Sequence, residues 1–204
     1  IEVSPRLRYA GIERLIFILN KAYDELGHRA FVAGPGNSDL GGFGSLITTY
    51  PKNLWPEFDG ERKIVRSPTA YHSHFSKCID ILHNYQPDIW HDHPGESILA
   101  SEEYATVKKR INTPIITTLH GDVPKDKKWE SERWLRLQRK GRPVYFVALS
   151  NSHKTLYEEK TGLKIDRVIH NGIPLEIYDF NPEKQDYVIW LGRVSDIKGA
   201  DLAV

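Results

Sequence analysis

The stretch Trp190-Leu191-Gly192-Arg193, followed five residues after its arginine by Lys198-Gly199, sets a guanidinium and an ammonium beside a glycine turn. The apolar run Tyr187 to Leu191 leads into it as a strand would, and Lys198-Gly199 stands at the head of a helix-compatible segment. Strand, glycine turn and helix start together make an anion site. Backbone N–H groups and the positive end of a helix dipole point at one spot, two cations flank it, and a phosphate or diphosphate fits there. Upstream, other polar clusters follow short apolar runs: Arg8-Tyr9-Ala10-Gly11-Ile12-Glu13, His91-Asp92-His93-Pro94-Gly95, His120-Gly121-Asp122 and Ser150-Asn151-Ser152. Carboxylates, imidazoles and hydroxyls at such places bind hydroxyl-bearing ligands or move protons.

The elements that must position these residues alternate along the chain. Ile1 to Ser4 reads as the end of a strand. Ile12, Leu15, Ile16, Leu19, Ala22, Tyr23 and Leu26 then recur at helical spacing, with a stop at Gly27. Strands are expected at Ala30 to Ala33, Leu46 to Tyr50, Lys63 to Arg66, Asp88 to His91, Pro114 to Leu119, Val144 to Leu149 and Asp166 to Ile169, with a helix over Tyr71 to Asn84. Such alternation predicts an α/β fold, a Rossmann-like doubly wound parallel sheet with helices on both faces. Ligands of that architecture bind beyond the carboxyl ends of the strands, so the polar clusters should share one rim. Past His170-Asn171-Gly172-Ile173-Pro174 the apolar periodicity is lost, as in a linker, and a second apolar strand is expected from Tyr187.

Composition narrows the class. Of 204 residues, 40% are hydrophobic and 27% charged, and the net charge is +1, which fits a globular protein with no overall pull toward nucleic acid. The single cysteine, Cys78, falls in a helical apolar pattern with Tyr71, Phe75, Ile79 and Leu82, as a small core residue does, and it excludes a disulfide within the chain. No apolar run approaches the roughly 18 residues of a membrane span, and no signal-peptide pattern opens the sequence, so a cytoplasmic protein is expected. Methionine is absent throughout, the initiator included, so a fragment or an incomplete record of a longer protein is expected.

Two other chemistries fit less well. His91 and His93 suggest a metal, but Pro94-Gly95 ends the strand at once and a third and fourth ligand are missing, so no metal site is expected. A dinucleotide-binding oxidoreductase would need Gly-x-Gly-x-x-Gly directly after the first strand. Gly34-Pro35-Gly36 instead follows the second, with Asp39 in place of the third glycine.

Five motifs in one order carry a resemblance: Gly11-Ile12-Glu13, Glu25-Leu26-Gly27-His28, His120-Gly121-Asp122, His170-Asn171-Gly172-Ile173-Pro174 and Gly192-Arg193 with Lys198-Gly199. Together they resemble the GT-B glycosyltransferases of family 4, which are retaining and use nucleotide sugars. The resemblance implies two Rossmann-like halves, the first holding mainly the acceptor and the second the nucleotide sugar. It makes residues 1–180 the acceptor-binding domain with the linker start, and 181–204 the linker with the first strand and turn of a donor-binding domain. It implies that Gly11 lets its backbone approach the donor diphosphate, although Ala10 stands where the family usually has a first glycine. Arg193 and Lys198 would grip that diphosphate.

By the same resemblance His120 lies at the reacting centre and is catalytic with Asp122, while Glu13, His93 and Ser150 contact the acceptor. Asp122 also suits a helix N-cap, and Glu13 is equally a first-turn acid favoured by the helix dipole. The implied function is transfer of a sugar from a nucleoside-diphosphate sugar, UDP- or GDP-linked, to a hydroxyl of a glycan, lipid-linked or small-molecule acceptor. No cofactor beyond that co-substrate is implied, and the chain by itself is expected to be inactive. The alternative is a non-catalytic acceptor-binding module, or a half-enzyme needing a donor-domain partner. Residues 123–142 hold eight basic and three acidic residues with Trp129, Trp134, Leu135 and Leu137 interleaved, which suits either a solvated helix on the sheet or peripheral contact with an anionic membrane.

Overall fold

The computed structural model of the protein describes residues 3–5, 11–52, 68–93, 98–107, 111–121, 123, 128–192, 194 and 198–202; for 68–71, 102, 103 and 128 the backbone alone is described. The chain forms two units, Ile1–Ile173 and Pro174–Val204. In the first, helix α1 (Gly11–Glu25) ends where its sequence says it should. Gly27 takes φ +81°, the left-handed conformation that a side chain resists. The His28 N–H then reaches back to the Tyr23 carbonyl and the Gly27 N–H to that of Asp24, both at 2.9 Å, so two otherwise orphaned carbonyls are satisfied. Ile16 and Phe17 of α1 pack with Val3, Val32, Leu40 and Leu46 in a small apolar cluster.

Strands β1 (Phe31–Pro35) and β2 (Ser45–Tyr50) pair in parallel, with a bulge between Gly34 and Pro35. A Cβ at Gly36 would fall 2.7 Å from the Pro51 carbonyl oxygen, so the close passage of the chain beyond β2 accounts for that glycine without any bound dinucleotide. Helix α2 (Pro68–Tyr85) follows, then β3 (Trp90–Asp92), a 3₁₀ turn Ile98–Ala100 and α3 (Glu102–Val107). After them come β4 (Ile115–Thr118), α4 (Lys128–Arg139), β5 (Val144–Ala148), α5 (Asn151–Thr161) and β6 (Arg167–Val168).

Strands β3 to β6 form a four-stranded sheet, all parallel and in sequence order. The fold is therefore the expected Rossmann-like α/β type, parallel strands flanked by helices. The described strands divide into this sheet and the separate β1–β2 pair. Of the first expected strand, Val3 and Ser4 carry no strand assignment; Val3 donates its N–H to Ser38 Oγ at 3.0 Å and accepts the Asp39 N–H at 2.8 Å. The strand expected at Lys63 to Arg66 lies outside the described residues.

The main core sits between this sheet and its helices. It gathers Phe75, Cys78, Ile79 and Leu82 from α2, Ile115 and Phe146 from the sheet, Trp134 and Leu137 from α4 and Tyr157 from α5. Each large apolar side chain so buried contributes about 1.5–3 kcal/mol, and this is what fixes the strand ends in space.

The second unit, taken by itself, has a 3₁₀ turn at Leu175–Ile177 and an Asx turn in which the Glu183 N–H donates to Asn181 Oδ1 at 2.9 Å. Tyr187 to Leu191 is not the expected strand: no ladder forms, and Val188 and Leu191 are 95% and 96% exposed. A strand gains its stability from a paired neighbour, and no described segment supplies one here.

Candidate functional site

Because β3, β4 and β5 are parallel, with Asp92 opposite Thr117 and Thr118 opposite Val147, their carboxyl ends come level. His93, His120 and Ser150 follow those ends directly. The structure joins the first two: His93 Nδ1 lies 3.0 Å from His120 Nε2. Behind them, His91 uses both ring nitrogens, Nε2 with Thr118 Oγ1 at 2.8 Å and Nδ1 with Tyr23 Oη at 3.2 Å. Its ring lies against that of His93, centroids 3.9 Å apart. Alternation explains the pairing, since residues two apart on an extended chain share a face. Asp92 points the other way, buried, and its Oδ2 accepts the Ile98 N–H at 3.1 Å, which ties down the far end of the loop after β3.

Burial sets the protonation of this cluster. Desolvation, and secondarily the neighbouring imidazoles, push His93 down to about 3 and His91 down to about 4. His120 is lowered as well, first by burial and then by the charge of His153. At neutral pH all three are uncharged. They can exchange hydrogen bonds with hydroxyls but supply no standing positive charge for a phosphate, so any anion grip must come from elsewhere.

The loop after β4 is held from a second side. The Gly121 carbonyl accepts two hydrogen bonds from α5, one from His153 Nε2–H at 2.8 Å and one from the Tyr157 hydroxyl at 3.1 Å. His153 is fixed in that tautomer because its Nδ1 accepts the Leu149 N–H at 3.3 Å. Ser150 caps α5, its Oγ accepting the His153 N–H at 3.1 Å and lying 3.1 Å from Ser152 Oγ. Sequence reading named His120, His93 and Ser150 but missed the supports, Tyr23, Thr118, His153 and Tyr157. The one legible signal was His153 three residues after a serine N-cap.

The other expected site residues stand apart from this cluster. Gly11 opens α1 and Glu13 lies in its first turn. Among the described residues neither touches the histidines, and α1 reaches them through Tyr23 instead. Among the described residues, a Cβ at Gly11 or at Gly121 would meet nothing within 4 Å, and neither glycine has a positive φ. Asp122 and Arg193 lie outside the described residues. Lys198 is exposed in the second unit, where its carbonyl accepts the Trp190 Nε1–H at 3.1 Å. Among the described residues no group of three His, Cys, Asp or Glu side chains has the geometry to hold a metal ion.

Of the basic 123–142 segment, Trp134 and Leu137 are buried in the core, whereas Arg136, Arg139 and Lys140 are exposed and Arg133 lies over the half-exposed Trp129 ring at 5.2 Å. Among the described residues no helix is long and apolar enough to cross a membrane.

No curated protein matches the chain. The family model described as Glycosyltransferase Family 4 matches residues 9–177, a span that holds α1, the six described strands and the histidine rim. The chain belongs to glycosyltransferase family 4.

Proposed function

We propose that the protein transfers a sugar from a UDP- or GDP-linked donor to an acceptor hydroxyl with retention of configuration. The observation that carries this reading is His120, a half-buried, neutral imidazole at the end of β4, held through Nε2 by His93 and followed by a glycine whose Cβ position meets none of the described residues. A neutral imidazole suits a sugar hydroxyl, and the open glycine leaves room for one.

In the reaction the bond from the sugar's anomeric carbon to the diphosphate breaks, its electron pair passing to the phosphate oxygen. The acceptor oxygen bonds to that carbon on the same face, and its proton goes to the departing phosphate. Negative charge grows on the diphosphate as the bond breaks, so Arg193 and Lys198, with the backbone near Gly11, stabilise the transition state more than the ground state. Asp122 orients His120 or receives the acceptor hydroxyl. Glu13 and Ser150 bind acceptor hydroxyls. The exposed Arg136, Arg139 and Lys140 with Trp129 favour an acceptor held at an anionic membrane surface.

The test is release of nucleoside diphosphate by the full-length protein from a panel of UDP-, GDP- and ADP-sugars, beside His120→Ala and Arg193→Ala. Release from one donor that collapses in both variants supports the transferase. A folded protein with no release and no nucleotide affinity leaves the acceptor-binding module as the better account.

A further inference from the structure

We infer that Asn171 is a self-modification site: the Gly172 backbone nitrogen closes on the Asn171 side chain, ammonia leaves, and water opens the resulting ring to aspartate or isoaspartate. The inference goes beyond the transferase reading and holds whether or not the rim transfers a sugar. The electrophile is Cγ of Asn171. Its bond to the Gly172 nitrogen forms, its bond to Nδ2 breaks, and the proton of the Gly172 N–H departs with the amide as ammonia. Water, the one co-reactant, then adds to either carbonyl of the succinimide ring. Addition at Cγ restores the ordinary peptide with an aspartate side chain. Addition at the main-chain carbonyl leaves the chain running through Cγ, one carbon longer, with a free carboxylate beside it.

The loop is built to permit this closure. Asn171 and Gly172 are both exposed, in a stretch without regular structure just past the carboxyl end of β6. The Ile169 N–H still bonds the Ala148 carbonyl at 2.9 Å, and among the described residues the next backbone N–H to find an acceptor is that of Ile177. The Gly172 N–H is therefore held by water alone, and no protein hydrogen bond must break before its nitrogen attacks. A glycine puts no Cβ in the path of the closing side chain and turns freely into the backbone conformation that the ring requires. Among the described residues, a Cβ built at Gly172 would meet nothing within 4 Å, and its φ is not positive, so the loop has room for that turn.

The fold also spares the asparagines that resemble it in sequence. Asn37 precedes another small residue, but the Ser38 N–H is committed to the Pro35 carbonyl at 3.0 Å. Asn151 and Ser152 open α5, where the helical backbone aims each N–H along the axis and away from the preceding side chain. Asn181 is followed by Pro182, which has no N–H, and its Oδ1 accepts the Glu183 N–H at 2.9 Å. The consequence is a charge that appears with time. Because β6 runs parallel to β5 with Val168 opposite Ala148, the new carboxylate stands on the strand-end side of the sheet, and the formal net charge of +1 is lost.

The experiment is peptide mapping by mass spectrometry of full-length protein aged at physiological temperature in 18O-water, at neutral and at mildly alkaline pH. Asn171 should convert to a mixture of aspartate and isoaspartate, told apart by main-chain fragmentation, with 18O incorporated and a faster rate at the higher pH. Asn37 and Asn151 should stay intact in the folded protein and begin to convert only in urea. Gly172→Ala, which the open loop accommodates, should slow conversion of Asn171 about tenfold by crowding the attacking nitrogen. Three results would overturn the inference: Asn171 intact in the folded protein while a peptide of the same sequence converts, conversion to aspartate alone, or a wild-type rate in Gly172→Ala. Equal conversion of Asn37 and Asn151 in the folded protein would overturn it as well, since the fold would then select nothing.

Discussion

His153 Nε2 lies 2.8 Å from the Gly121 carbonyl oxygen, so the residue that follows His120 is tied not to its own strand but to helix α5. The Tyr157 hydroxyl donates to the same oxygen at 3.1 Å. Two donors on one acceptor make a prediction with an internal ranking. Tyr157→Phe leaves His153 in place and should cost about 1 kcal/mol of stability. His153→Ala removes one donor and also strips the Leu149 N–H of its acceptor, so it should cost about 2 kcal/mol or more. Urea unfolding of both variants gives the order, and an equal or inverted ranking would mean that the clamp does not run through His153.

The buried histidines predict how stability depends on pH. His91 and His93 titrate near 6.5 when unfolded but are held at about 4 and about 3 in the fold, and His74 and His120 are lowered too. Between those values the unfolded chain binds protons that the native protein refuses. Stability is therefore full above about pH 6.5 and declines as pH falls toward 4, by a few kcal/mol in all. Urea midpoints measured from pH 8 to 4 should fall along that curve, and His91→Gln, which removes one titrating group, should flatten it. A flat profile in wild type would show that these imidazoles are not desolvated.

Much of this was legible from residue order because local and global signals agreed. The apolar runs of β4 and β5 and the glycine stop of α1 mark their own positions, since burial on a parallel sheet demands the one and a left-handed turn the other. His93 and His120 were visible as strand-end residues. What held them was not, because Tyr23, Thr118, His153 and Tyr157 meet across 27 to 68 residues of sequence, and only the packing of α1 and α5 on the sheet decides that they meet. The strand expected at Tyr187 failed for the opposite reason. Its residues have the right propensity, but a strand also needs a neighbour, which no run of five residues can specify.

Two glycines separate a structural from a functional need. At Gly36 an added Cβ would meet the Pro51 carbonyl at 2.7 Å, so Gly36→Ala should destabilise the fold by about 1–3 kcal/mol. At Gly11 the same methyl meets none of the described residues within 4 Å and sits in a helical turn, so Gly11→Ala should leave the thermal midpoint unchanged or raise it slightly. If the backbone there approaches a diphosphate, Gly11→Val should nevertheless raise the KM for the donor sugar severalfold in a fully folded protein. Unchanged KM in Gly11→Val would remove Gly11 from the donor site.

Ser150 poses the same choice at the other end of the rim. Its Oγ accepts the His153 N–H at 3.1 Å, and its backbone, at φ −156° and ψ 166°, is that of an N-cap. As a cap alone, Ser150→Ala should lower stability by about 1 kcal/mol and disturb acceptor KM only as far as α5 loosens. Ser150→Asp keeps a capping oxygen and places a charge where an acceptor hydroxyl would sit, so it separates the two roles. Restored stability with restored acceptor KM would make Ser150 purely a cap. Restored stability with acceptor KM raised tenfold or more would place its side chain against the acceptor, because a cap that folds correctly has no other reason to weaken binding.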